Sequence, residues 1–131
     1  MENHVRLMVL SDNLSPEKLI KQLAMSGDKI WSLGDKRLNT LLLEKENGWV
    51  LKSKIALNLD LEDQIENVMS LIKWNEARFK AISNQEGCFI QLSCACYYDD
   101  EPPLIFESEV INWLSDLNAS LDIDLYCRSK G

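Results

Sequence analysis

The sequence predicts an α+β fold, in which a mainly antiparallel sheet of five to six strands carries three helices on one face. Three observations lead there. Strand-like segments alternate with three amphipathic helix patterns along the chain. Asn47-Gly48 stands between two strand-like segments, where both residues suit the φ > 0 positions of a type I′ hairpin turn. The closing segment Leu121-Asp122-Ile123-Asp124-Leu125-Tyr126 alternates strictly between apolar and polar. With 131 residues, 46% of them hydrophobic, the chain reads as one domain, 1–131. At that length a core can bury about two-thirds of the chain's surface.

Each element has a local reason. Val5 to Leu10 is apolar and ends at Ser11-Asp12-Asn13, a strand followed by a turn. Ser15 is a good N-cap, and Pro16 suits the first helical position, where its missing N–H costs nothing. That helix is expected over 15–25, with Leu19 and Leu23 inward. Ile30 to Leu38 suggests a short strand and a turn around Gly34 and Asp35. Thr40–Lys45 and Trp49–Ile55 read as the two strands flanking Asn47-Gly48. In the second, Trp49, Leu51 and Ile55 share one face, while Val50, Lys52 and Lys54 share a wetter one.

Asp60 is positioned to cap a long helix over 60–83, with Glu62 and Asp63 favouring its dipole. Leu61, Ile65, Val68, Ile72, Phe79 and Ile82 form its apolar stripe, interrupted only at Asn75. Cys88–Tyr98 is apolar on both parities and reads as a central strand. Two prolines, Pro102 and Pro103, end its ladder, and Leu104–Phe106 is a short extended piece. The third helix covers 107–117, with Val110, Ile111, Leu114 and Leu117 inward. In the last strand Leu121, Ile123 and Leu125 face the core and Asp122, Asp124 and Tyr126 face away. The order suits a ferredoxin-like arrangement.

Composition removes several classes. Lys and Arg number 14 against 21 Asp and Glu, a net charge of −7. Nucleic acid needs a basic stripe, so it is not an expected partner. The N-terminus lacks a basic segment followed by an apolar one, and no apolar run reaches the roughly 20 residues of a membrane helix. A cytoplasmic location without membrane association is therefore the expectation. Cys88, Cys94, Cys96 and Cys127 are then expected to be reduced. Cys94 and Cys96 lie parallel on a strand, unlike the converging thiolates of a zinc turn, so no metal and no cofactor is expected.

No catalytic residue is assigned: nucleophile–base motifs, phosphate loops and H-E-x-x-H are missing from the sequence. The candidate binding residues are Trp31, Asp35, Trp49, Trp74, Asp122, Asp124 and Tyr126. Asp122 and Asp124 share a strand face with carboxylates roughly 6–7 Å apart, which suits an acid–base pair or a solvated edge strand. Trp49 could offer a stacking surface if it shares that face. Trp74 falls off the inward stripe of its helix; core or rim packing is the expected role, an interface anchor the alternative.

Four separated pieces occur in order: Leu14-Ser15-Pro16-Glu17, Trp31-Ser32-Leu33-Gly34-Asp35, Gly48-Trp49-Val50-Leu51-Lys52-Ser53 and the closing Leu121–Tyr126 segment. Together they resemble the bacterial family called domain of unknown function 4279, over nearly the whole chain. The resemblance implies a small α+β domain with no assigned activity and brings no catalytic residue with it. The leading expectation is a non-enzymatic protein-binding module, steered by its acid excess toward a basic protein partner. An immunity-type inhibitor of a toxin is one form of that idea. The alternative is small-ligand binding or weak catalysis on the exposed sheet face around Asp122, Asp124 and Tyr126.

Overall fold

A computed structural model describes residues 1–128. Its strands are β1 (Glu2–Ser11), β2 (Lys29–Trp31), β3 (Asn47–Lys52), β4 (Cys88–Tyr98) and β5 (Ala119–Cys127). Its helices are α1 (Pro16–Leu23), α2 (Leu61–Ile72), α3 (Glu76–Ser83) and α4 (Ser108–Asp116). The sheet order is β2-β3-β1-β4-β5. The first four strands pair antiparallel, in the order a ferredoxin-like arrangement would give. β5 then adds parallel to β4, so the sheet is mixed and the ferredoxin-like description holds only in part. The cause is α4: a helical crossover returns the chain to the starting end of β4, which forces a parallel neighbour.

The helices lie on one face of the sheet. Alternate residues Val5, Leu7 and Val9 of β1 and Ile90, Leu92 and Cys94 of β4 are buried beneath them. The expected inward residues Leu19, Leu23, Ile65, Ile72, Val110 and Leu114 all join that core. Ser15 caps α1 through Oγ, which accepts from the Lys18 N–H at 3.3 Å. Asp60 occupies the N-cap of α2, but its side chain makes no capping hydrogen bond.

Several expectations are corrected. The helix over 60–83 is broken by a 3-10 turn at Lys73–Asn75, where the apolar stripe is interrupted. Asn75 Nδ2 donates to the carbonyls of Leu23 (3.0 Å) and Ala24 (3.4 Å), so this residue closes α1 as it interrupts its own helix. Asn47-Gly48 is not a turn. Both residues lie inside β3, opposite Ser11 and Leu10. Gly48 is needed for close approach: a Cβ there would come within 2.1 Å of the Trp31 ring. Thr40–Lys45 forms no strand. Residues 32–46 make an excursion tied by Gly34 N–H to Glu44 O and Arg37 N–H to Leu42 O, with one isolated bridge, Lys36 to Leu43. Leu104–Phe106 forms no strand either.

Burial also departs from the pattern at the β5 edge. Leu121 and Leu125 point to the helix side by register, opposite Leu92 and Cys96, yet are 37% and 46% exposed. α4 packs against this edge strand and Ala119 and Ile123 touch the core, but Leu121 and Leu125 are left only partly covered. Ile111, expected inward, is exposed on α4. Val50, expected on the wet side, is buried between its cross-strand neighbours Met8 and Lys29.

The thiols follow the strand parity. Cys88, Cys94 and Cys96 are buried and unbridged, and Cys127 stands opposite Tyr98 in register, not opposite a cysteine. Burial, with smaller effects of Cys96 and Asp122, pushes the Cys94 thiol up to about 12, and burial also raises that of Cys96. The thiolate is the reactive form, so these groups should be inert in the native protein. In an Ellman titration of the native protein Cys88, Cys94 and Cys96 should react only on the timescale of unfolding, and all three at once in denaturant. Rapid native labelling of any of the three would contradict the packing of β4.

Candidate functional site

The face of the sheet opposite the helices is open. Register assigns its residues. One row across the strands reads Lys52, Arg6, Ser93, Asp122, and the next reads His4, Ala95, Asp124. At the far end Tyr97 and Tyr126 are cross-strand partners whose rings stack at 4.8 Å with 17° between planes. His4 meets Tyr97 edge-on at 5.6 Å. The small side chains Ser93 and Ala95 leave a trough between β1 and β5 with a volume of about 390 Å³. Arg6, Lys52 and His4 line one side, and Asp124 and Tyr126 the other.

Charge gives the trough its character. Arg6 and Lys52 are direct cross-strand neighbours of like sign, an arrangement that costs stability when nothing lies between them. Neither makes an ion pair among the described residues. Asp28 attracts Lys52 at longer range, but its carboxylate is already engaged by the Lys54 ammonium and by the Lys52 backbone N–H at 2.7 Å. Across the floor, Asp122 accepts from Gln91 Nε2 at 3.2 Å, and Asp124 has no ion-pair partner among the described residues.

A second hollow of about 400 Å³ adjoins the trough at the β2–β3 end and shares Arg6 and Lys52 with it. The 32–46 excursion leans over this end, with Arg37 and Glu44 bridged at 3.4 Å. The Trp31 ring packs closely on Gly48 here, with the Lys29 ammonium 5.8 Å from its ring centroid. The Trp31 indole N–H is buried and finds no acceptor among the described residues.

The sequence-derived candidates are dispersed over the molecule. Asp124 and Tyr126 line the trough, and Asp122 shares its face without lining it. Trp31 lines the adjoining hollow. Asp35 holds a turn, its Oδ2 accepting from the Ser32 N–H at 2.8 Å. Trp49 is fully buried on the helix side and so takes no part in this surface. Trp74 is 92% exposed on the 3-10 turn, so the expected core or rim packing is excluded for it. Sequence reading missed His4, Arg6, Lys52, Ser93 and Tyr97. The available signal was the polar parity of β1 against its apolar one, His4 and Arg6 alternating with Val5 and Leu7.

The Asp28 contacts carry a pH dependence. Partial burial pushes its carboxyl up, but the Lys52 N–H and Lys54 together outweigh this and hold it below the ordinary value. A lowered folded-state pKa gives stability that is full above the unfolded value of about 4 and is lost as pH falls through the folded one. The melting temperature should therefore fall on acidification below about pH 4. Asp28→Asn should lower it at neutral pH and flatten part of that acid limb. Superimposable pH profiles for the two proteins would refute the assignment.

The chain is thus an open-faced α+β sandwich with a charged trough on its bare side. The chain belongs to the family described as Domain of unknown function (DUF4279), whose model matches residues 1–128. No curated protein and no solved structure matches the chain. Among the described residues no helix is long and apolar enough to cross a membrane, and no three metal-ligating side chains cluster.

Proposed function

We propose that the domain is a small-molecule-binding module whose site is the trough on the open sheet face. The observation that carries this reading is the Arg6–Lys52 pair, two adjacent cations without ion-pair partners, lining a concavity in a chain of net charge −7. Ligand sites are concave and hold a few convergent polar groups against an apolar or aromatic wall. Tyr97 and Tyr126 supply that wall. Every lining group sits on a strand of the sheet except Ser53 and Leu57, so the site is preformed. The test is a thermal-shift screen of small metabolites, followed by amide mapping of hits in labelled protein. A ligand at a hundred times its Kd should stabilise by about 2.7 kcal/mol. Shifts should centre on Arg6, Ser93 and Asp124; hits that map to the helix side would sink the reading.

A second reading rests on a separate observation. The excursion over 32–46 exposes Leu38 (84%) and Leu41 (91%), with Leu42 and Leu43 beside them. Apolar side chains clustered on one projecting loop suit a protein partner with an apolar groove, rimmed by basic residues to match this acidic chain. Immunity-type inhibition of a toxin would be one instance. Here a Leu41→Asp, Leu42→Asp variant should lose a partner that the parent protein retains through co-purification. Equal retention by both would remove the loop from consideration.

A further inference from the structure

We infer that the trough selects a small zwitterion: a molecule with a carboxylate at one end and a protonated amine at the other. This rests on the small-molecule reading above and narrows it. The trough is divided by charge. Arg6 and Lys52 stand on its β1–β3 side and Asp124 on its β5 side, with no ion pair joining them across the floor. β4 separates the two sides, so the Arg6 and Asp124 backbones are offset by two strand spacings across the sheet, about 10 Å, and by two residues along it, about 7 Å, with Lys52 one spacing further on β3. The β4 residues between them are Ser93 and Ala95, too short to fill the gap or bridge the charges.

A plain anion would satisfy Arg6 and Lys52 but would lie in the field of Asp124. A plain amine would satisfy Asp124 but would lie in the field of two cations. A zwitterion of matching length satisfies both sides, and the opposing signs fix its direction in the trough. Arginine offers a forked donor set matched to a carboxylate, with the Lys52 ammonium beside it. The Ser93 hydroxyl, which makes no side-chain hydrogen bond among the described residues, lies on the floor between the charged ends. The stacked Tyr97 and Tyr126 rings wall the far end and give the aliphatic spacer of such a molecule an apolar surface.

The experiment titrates labelled protein with a matched set that differs only in charge: 4-aminobutanoate, butanoate and butylamine. Glycine and 6-aminohexanoate vary the span. The zwitterion of best length should bind about tenfold more tightly than either singly charged partner of the same skeleton. In Asp124→Asn the zwitterion should bind no more tightly than butanoate, whose own affinity should rise as the field of the acid is removed. Arg6→Gln with Lys52→Gln should remove both. These positions are on the open face, and melting temperatures no lower than that of the parent would confirm that the variants fold. Butanoate binding as tightly as 4-aminobutanoate, with Asp124→Asn silent, would overturn the zwitterion and leave the trough as an anion site. Failure of every probe in the set would overturn the zwitterion too. The metabolite screen then judges the small-molecule reading separately.

Discussion

Trp49→Ala should cost about 3–5 kcal/mol, the range for truncating a fully buried tryptophan. A domain of this kind has about 5–15 kcal/mol in total, so the variant should be partly unfolded at moderate temperature. Trp49 sits on β3 opposite Val9, wholly buried under the helices. Its ring meets Phe79 of α3 edge-on at 5.5 Å, which joins the sheet to the helix layer. Its indole N–H donates to the Met25 carbonyl at 3.0 Å, which pins the chain just after α1. Truncation removes both side-chain contacts and leaves a cavity that the strand cannot close. Trp49→Phe separates the contributions. It keeps much of the apolar volume but leaves the Met25 carbonyl without its donor, a loss of about 1–3 kcal/mol. Urea denaturation of the three proteins measures this. A Trp49→Ala cost under about 1 kcal/mol would mean that the residue is not at the junction of sheet and helices.

Gly27→Ala should be nearly as damaging, at about 2–4 kcal/mol, for two separable reasons. Gly27 has φ of +70°, where a side chain is strained. A Cβ there would also stand 2.7 Å from Cε2 and Nε1 of the Trp49 indole and 2.9 Å from the Val50 carbonyl oxygen. The indole cannot withdraw, because it is buried and bonded to Met25. The substitution therefore strains the turn that leads from α1 into β2 and the core tryptophan together. In a Trp49→Phe background the indole part of the clash is gone, and the cost of Gly27→Ala should fall by about 1 kcal/mol or more. Strict additivity of the two substitutions would show that the clash is relieved elsewhere and that only backbone strain remains.

The legible part of the fold is the local part. Ser15-Pro16 marks a helix start through capping and a fixed φ, effects that act within a few residues. The apolar stripe of 61–82 identifies a helix layer, and its interruption at Asn75 falls where the helix breaks. The parity of Cys88, Cys94 and Cys96 puts the three thiols on one face of β4, where they are buried. Periodicity of this sort is carried by contiguous residues and can be read without knowing the partner.

The candidate site was legible only at one side. Alternation in the closing segment puts Asp124 and Tyr126 on the open face, and both line the trough. Arg6 and Lys52 belong to strands far apart in the chain, and nothing local says that they become neighbours. That adjacency depends on β1 taking the centre of the sheet between β3 and β4.

The sequence by itself determined that this protein is a single-layer sheet with helices on one side, because side-chain period and capping chemistry are local properties. Tertiary structure alone decided three things. Asn47-Gly48 became the interior of a strand because Trp31 packs on Gly48, a contact that outweighs the turn preference of the dipeptide. β5 runs parallel because α4 carries the chain back to the starting end of β4, whereas its strict apolar–polar alternation is the same whichever way its neighbour points. The charged trough exists because strand order brings cations from β1 and β3 to face an acid from β5, and strand order is set by packing between distant segments.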